Sequence, residues 1–228
     1  MKKLISLCLI GIMLVGLCLT GCGGKKGLTL NVYNWGEYIS DGSEGSFDTV
    51  REFEKWYQET YNQKVTVNYS TFASNEDMYS KISSGAVSYD VIIPSDYMIA
   101  RMAKEGLLLP LNFDNIPNYQ YIEDTFKGLY YDPDNQYSIP YTYGIVGVIY
   151  DANVVDEEKY SGKILQFNSS RDAFGTAMYK LGIDVNTTDK ASWDKAYDEL
   201  LTQRPLVKSY VMDEIYNMME SGEAAIGA

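Results

Sequence analysis

Between Leu30 and Gly106 the chain alternates three β-type runs with three helical ones, and this order narrows the fold more than any other feature. Leu30–Tyr33 and Val65–Tyr69 alternate apolar and polar residues, as half-buried strands do, while Tyr89–Ile93 is a continuous apolar run suited to a strand covered on both faces. Ser46–Tyr57 reads as a helix with Ser46 as N-cap and Val50, Phe53 and Tyr57 on one face. Ser74 caps a second helix to about Ser83, stopped by Gly85, and Ser95-Asp96 cap a third, stopped by Gly106. Strand, helix, strand, helix, strand, helix is the order of an α/β lobe with a largely parallel sheet.

From Leu107 to Tyr137 periodicity fades among Pro110, Pro117 and Pro133. Ile145–Tyr150 is β-rich and marks a crossing into a second lobe. There Lys163–Phe167 and Pro205–Val211 read as strands, and helices follow Asn168–Asp172 (with Phe174, Met178 and Leu181 on one side), Asn186–Asp189 and Asp213. Ala224-Ala225-Ile226 begins another strand. The expected division is a first lobe over 28–143 and a partial second lobe over 144–228.

In open α/β sheets ligands bind beyond the carboxyl ends of the strands. Four such ends carry acids and aromatics: Trp35, Glu37 and Tyr38; Ser95, Asp96 and Tyr97; Arg171 and Asp172; Tyr210 and Asp213. Two π faces beside a carboxylate suit a cation. The competing reading makes Trp35 and Tyr38 core aromatics and the Ser and Asp residues ordinary helix caps. Caps do not require Trp or Tyr beside them, so the four ends together favour a ligand cleft.

Met1-Lys2-Lys3, the uncharged run Leu4–Thr20 and Leu19-Thr20-Gly21-Cys22 read as a secretory signal over 1–21. The last four residues resemble a bacterial lipobox, which implies cleavage before Cys22 and lipid on its sulfur, with 22–27 as a tether. Cys8 and Cys18 lie in the signal, so the exported part has no disulfide and no thiolate metal site. Of 19 basic residues Lys2 and Lys3 leave with the signal; the remaining 17 face 31 acidic ones, a net charge of −14. Such a balance argues against nucleic acid. Histidine is absent, which removes the commonest general base and zinc ligand. The acids of Asp132-Pro133-Asp134 lack the glycine and glutamate of a calcium loop, so neither a metal nor a cofactor is expected.

Tyr-Asn-Trp-Gly-Glu-Tyr (33–38), Ser-Asn-Glu-Asp-Met-Tyr (74–79), Tyr-Asp-Val-Ile-Ile-Pro-Ser-Asp-Tyr (89–97), Tyr-Ser-Ile-Pro-Tyr-Thr-Tyr-Gly (137–144), Arg-Asp-Ala-Phe (171–174) and Gly-Glu-Ala-Ala-Ile-Gly (222–227) resemble spermidine/putrescine-binding lipoproteins, the capture subunits of polyamine ABC importers. The resemblance runs from about Leu28 to the end of the chain. It implies a type II periplasmic-binding-protein fold, two α/β lobes with a cleft between, the second incomplete. It also implies a binding protein rather than an enzyme, monomeric, lipid-anchored on the outer face of the cytoplasmic membrane or in the periplasm, with permease subunits as partners. Trp35, Glu37, Tyr38 and Tyr97 would be first-lobe contacts and Asp172 a second-lobe carboxylate; Ser95, Asp96, Tyr143 and Asp213 complete the candidate set. The chain departs from the family pattern where a second acid is usual, at Asn168-Ser169-Ser170, where a Trp-containing helix is usual, between Asp156 and Tyr160, and at its end, where the family continues. An affinity for polyamines on the order of 0.1 mM or weaker is therefore expected. The rival readings are a binding protein for an amino acid, clamped by Arg171, or for a sugar; a non-binding remnant; and a secreted carbohydrate-active enzyme.

Overall fold

The computed structural model describes residues 27–150 and 160–228. The signal segment, Cys22, all of the tether but Gly27, and most of the 156–160 stretch lie outside the described residues. The described residues divide into two compact units: 27–32 with Ser40–Tyr69, and Tyr33–Ile39 with 70–150 and 160–228.

Strand β1 (Leu28–Trp35) starts in the first unit, with Leu28 N–H donating to the Lys64 carbonyl at 2.9 Å, and its last three residues belong to the second. Helix α1 (Thr49–Tyr61) starts later than expected. Its N-cap is Asp48, whose carboxylate accepts from Arg51 N–H at 2.9 Å, and not Ser46, which is extended. Both residue types can cap, but Asp also complements the positive end of the helix dipole. Asn62, in a left-handed conformation at φ 49°, ends the helix. Strand β2 (Val65–Phe72) follows and runs into the second unit from Ser70, and Glu54 of α1 accepts from Val67 N–H at 2.7 Å.

In the second unit, α2 (Asn75–Ser83) is capped by the Ser74 hydroxyl, as read from sequence, and the turn after it places Gly85 at φ 70°, a conformation glycine adopts without strain. Strand β3 is only Val91–Ile92, shorter than Tyr89–Ile93, and Val91 is 43% exposed, so the apolar run is not covered on both faces. The sheet order is β2-β1-β3, which makes β1 the central strand. Helix α3 (Asp96–Lys104) buries Met98 and Met102. These two join Tyr33, Trp35, Phe72 and Met78 in one core.

The 107–137 stretch forms short 3-10 turns at Phe113–Asn115, Pro117–Tyr121 and Asp124–Phe126. The buried Asp132 carboxylate accepts from the backbone N–H groups of Gln136, Tyr137 and Ser138 and from the Ser138 hydroxyl. These bonds hold its carboxyl below the usual range in spite of burial, which acts the other way. Ile145–Tyr150 is strand only at β4 (Ile149–Tyr150); Ile145 is 93% exposed.

The second sheet orders β4-β7-β5-β6, with β5 (Ile164–Phe167) parallel to β6 (Val207–Val211) and to β7 (Ile226–Gly227), and β4 antiparallel to β7. Helix α4 (Ser170–Lys180) packs on α5 (Lys190–Gln203) through Ala177, Met178 and Ala196; Leu181, expected on that face, is 41% exposed just past the helix end. Helix α6 (Glu214–Glu220) covers Leu165, Val211 and Ala224 with Ile215 and Met218. The parallel pairs place the ends of β5 and β6 side by side, Phe167 opposite Val211. Asp172 and Asp213 follow those ends.

Candidate ligand-binding site

Trp35 is the last residue of central strand β1. Its ring is buried against Phe72, 4.6 Å between centroids, and it is a core residue. The next three residues leave the sheet. Tyr38 is 42% exposed, its ring 6.0 Å from Trp35 on one side and stacked at 6.4 Å on Tyr141 on the other. The Tyr141 hydroxyl donates to the Tyr38 carbonyl and fixes this pair.

Gly36 allows a close approach from the far end of the chain. A Cβ at this position would meet Asp213 Oδ2 at 2.6 Å. Asp213 occupies the N-cap position of α6, yet its carboxylate caps nothing; Glu214 accepts from Met212 N–H at 3.0 Å instead. Burial first, then the Glu37 and Glu214 carboxylates, push the Asp213 carboxyl above its usual range. Burial, followed by the charges of Asp213 and Asp172, likewise raises the Tyr38 phenol. Among the described residues no basic side chain pairs with Glu37, Asp172 or Asp213.

A second group surrounds Tyr97. Ser95 does not cap α3 with its side chain. It is held by Asn75, whose Nδ2 donates to Ser95 Oγ and whose Oδ1 accepts from Ser95 N–H, both at 3.0 Å. Asn75 Nδ2 also donates to the Tyr97 hydroxyl at 3.0 Å, and that hydroxyl donates to Glu76 at 3.1 Å. The Ser170 hydroxyl donates to the same Glu76 oxygen at 3.2 Å. Asp96 accepts from the Tyr130 hydroxyl at 2.7 Å. Burial, with Glu76 next, pushes the Tyr97 phenol up to about 12; burial and the bond to Asp96 do the same for Tyr130. The Arg171 guanidinium lies 5.8 Å over the Tyr97 ring.

The structure thus joins Trp35, Tyr38 and Asp213, and links Ser95, Asp96 and Tyr97 in a second network. The Asp172 charge acts on both Tyr38 and Tyr97. Tyr143 stands apart, 73% exposed and stacked on Phe126 at 5.1 Å. Sequence reasoning gave no individual role to Asn75, Glu76, Tyr130, Tyr141 or Ser170. Asn75 and Glu76 follow the end of β2, so the strand-end rule could have found them. Tyr130 lies in an irregular stretch with no such signal.

Among the described residues no three carboxylates converge as a metal site. A cavity of about 250 Å³ between α4 and α5 lacks the acid-and-aromatic chemistry of the two groups above. It is lined by Ile164, Ala177 and Leu206, and its Lys180 and Glu199 pair with each other.

The profile of the family described as bacterial extracellular solute-binding protein matches residues 46–228. The chain belongs to that family. Its similarity to the spermidine/putrescine-binding periplasmic protein 1 of Haemophilus influenzae is 32% identity, over 87% of this chain and 56% of the relative. The corresponding Escherichia coli protein is also 32% identical, over 87% and 57%. Among solved structures, the spermidine/putrescine ABC transporter substrate-binding protein of Streptococcus pneumoniae superposes with a TM-score of 0.63 at 34% identity, covering 88% of this chain and 62% of that one. A lipoprotein of Treponema pallidum gives 0.71 at 27% identity, covering 87% and 62%. The chain spans little more than half the length of the curated family members it matches. The α/β periplasmic-binding-protein fold expected from the motifs is the fold these relatives share with it.

Proposed function

We propose that this chain captures polyamines of the putrescine and spermidine class outside the cytoplasm and presents them to the permease subunits of an ABC importer, as a monomer with lobes over 28–143 and 144–228. One observation carries the reading: the Asp213 carboxylate lies against Gly36, next to Glu37 and Tyr38, and neither these two acids nor Asp172 has a basic partner among the described residues. A half-buried carboxylate without a basic partner, as at Asp172 and Asp213, costs stability unless a cation joins it, and a charge-assisted hydrogen bond to an ammonium contributes about 1.5–3 kcal/mol. The names of the similar proteins from Haemophilus influenzae, Escherichia coli and Streptococcus pneumoniae support the same ligand class. Binding rather than turnover fits a site of acids and aromatics in a chain that contains no histidine.

Calorimetric titration of residues 22–228 with putrescine, spermidine, a neutral sugar and a neutral amino acid tests this. Heat is expected for the amines alone; heat for the sugar or the amino acid and none for the amines would overturn it.

The lipobox-like Leu19-Thr20-Gly21-Cys22 supports a lipid anchor on Cys22, as does the likeness to a lipoprotein of Treponema pallidum. Two acyl chains beside Lys25 and Lys26 suffice for stable attachment. Cys22→Ala is expected to move the protein from the membrane to the soluble fraction on cell fractionation. Retention of an uncleaved form in the membrane would instead make the N-terminal segment a spanning helix.

A further inference from the structure

Helix α1 carries an aromatic cluster that the core leaves outside. Phe53, Trp56, Tyr57 and Tyr61 recur at helical spacing, with ring centroids 5.8 Å apart for Phe53 and Trp56, 5.9 Å for Trp56 and Tyr61, and 4.7 Å for Tyr57 and Tyr61. No residue of α1 is buried, and Trp56 and Tyr61 are each more than half exposed. A surface helix ordinarily turns its apolar stripe to the core. Here the rings gather on one another and still meet solvent. The Trp56 indole N–H and the Tyr61 hydroxyl have no partner among the described residues. The cations of the helix are already engaged, Arg51 with Asp48 and Glu52, and Lys55 with Glu52. The start of the described chain lies at the same end of the helix. Leu28 N–H donates to the carbonyl of Lys64, three residues past Tyr61, and Gly27 lies beside that residue. From Gly27 back to Cys22 there are five peptide steps, which reach at most about 18 Å.

We propose that this aromatic face of α1 is a membrane-docking surface, with Trp56 and Tyr61 seated among the phospholipid headgroups of the bilayer that holds the Cys22 lipid. This rests on the lipid-anchor reading above and goes beyond the ligand. Reach and ring chemistry together name the occupant. A lipidated Cys22 is fixed at the edge of the hydrocarbon core, and the headgroup layer on each side is about 5–8 Å thick. A tether with a reach of about 18 Å therefore keeps the C-terminal end of α1 at or near that layer. Trp and Tyr favour the layer because each has an apolar body and a polar tip. The free indole N–H and phenol can bond to phosphate and ester oxygens there while the ring faces lie against the upper acyl chains. With the cations of α1 paired, the contact depends on rings and not on a basic patch, so it does not require anionic lipid.

The test uses the full chain, lipidated in cells and reconstituted into phosphatidylcholine vesicles whose acyl chains are brominated near the glycerol end, where bromine quenches tryptophan on contact. Of the three tryptophans, Trp35 is buried and Trp193 packs on Phe174, which leaves Trp56 as the exposed one. Relative to unbrominated vesicles, wild-type emission is expected to lose about a third of its intensity, the share of one tryptophan in three. Trp56→Phe keeps a ring on the helix and should abolish that loss. Wild-type protein that is vesicle-bound and unquenched overturns the inference, as does a loss that persists in Trp56→Phe. Dimerisation of the soluble Cys22→Ala form, seen by sedimentation and lost when Trp56→Ala is added, assigns the face to a second copy and overturns it as well. A chain that Cys22→Ala fails to release from the membrane removes the anchor reading and this inference together. The polyamine reading is tested separately by amine titration and stands or falls apart from all of these results.

Discussion

Asp213→Asn is expected to bind polyamine about 10- to 100-fold more weakly and yet to unfold at a higher temperature than the wild type. The two effects have one origin. Burial and the facing carboxylates of Glu37 and Glu214 raise the Asp213 carboxyl, so the folded protein holds that proton more tightly than the unfolded chain does. The protonated form therefore adds stability that is fully present below the ordinary aspartate value of 3.8 and is lost as pH rises through the elevated folded value. At neutral pH the ionised side chain is a cost to the free protein. Asn resembles the protonated carboxyl and removes that cost. It also removes a charge-assisted bond to the ligand of about 1.5–3 kcal/mol, which sets the loss of affinity. The same argument fixes the pH dependence. An ammonium prefers the carboxylate, so binding releases a proton and weakens as pH falls through the raised Asp213 value. The Asn variant should lack that limb of the profile. Titration calorimetry across pH and thermal unfolding of the ligand-free chain read out both effects. Unchanged affinity would show that Asp213 does not meet the ligand; a lowered midpoint would show that its charge is compensated in the free protein.

How much of this was legible in the sequence depends on what each residue answers to. The strand and helix order came through because it rests on periodicity and caps that act within a few residues: Ser74 caps α2 and Gly85 follows it, as the local chemistry requires. Competition between two local signals misplaced the start of α1, where Asp48 takes the cap that Ser46 could also have supplied. Tertiary context decided the rest. Tyr89–Ile93 has the composition of a fully covered strand, but only Val91–Ile92 pairs as strand, with Val91 exposed. Ile145–Tyr150 has the β propensity of a strand, and only Ile149 and Tyr150 find β7 as a partner. The site follows the same division. Strand ends flagged Trp35, Glu37, Tyr38, Asp172 and Asp213, because ligands gather where parallel strands stop. No local pattern could show that Asp213 Oδ2 would lie against Gly36, or that Ser170 and Tyr97 would share one carboxylate oxygen of Glu76. Those contacts join residues far apart in sequence.

Trp35 tests the boundary between core and contact, and its replacement is expected to have the largest effect on stability of any change at the site. Read from sequence, Trp35 is the leading aromatic of a cation box. In the structure it is 7% exposed and packs with Tyr33, Phe72, Met78, Met98 and Met102. Truncating a buried Trp to Ala costs about 3–5 kcal/mol from lost transfer energy and the cavity left behind. For a chain of this size that lowers the unfolding midpoint by roughly 6–20 °C. The methionines around it are flexible and can fill part of the cavity, which favours the lower end of that range. Trp35→Phe retains most of the ring volume and should recover most of the loss. Tyr38→Ala provides the contrast. Its ring is 42% exposed, so the change should move stability by little, while removing a cation–π contact of about 0.5–2 kcal/mol and weakening amine binding up to about 30-fold. Thermal unfolding followed by circular dichroism, paired with amine titration well below each midpoint, separates the two residues. The assignment of Trp35 to the core fails if Trp35→Ala keeps the wild-type midpoint and loses affinity alone, because that result would place its ring on the ligand rather than beneath Tyr38.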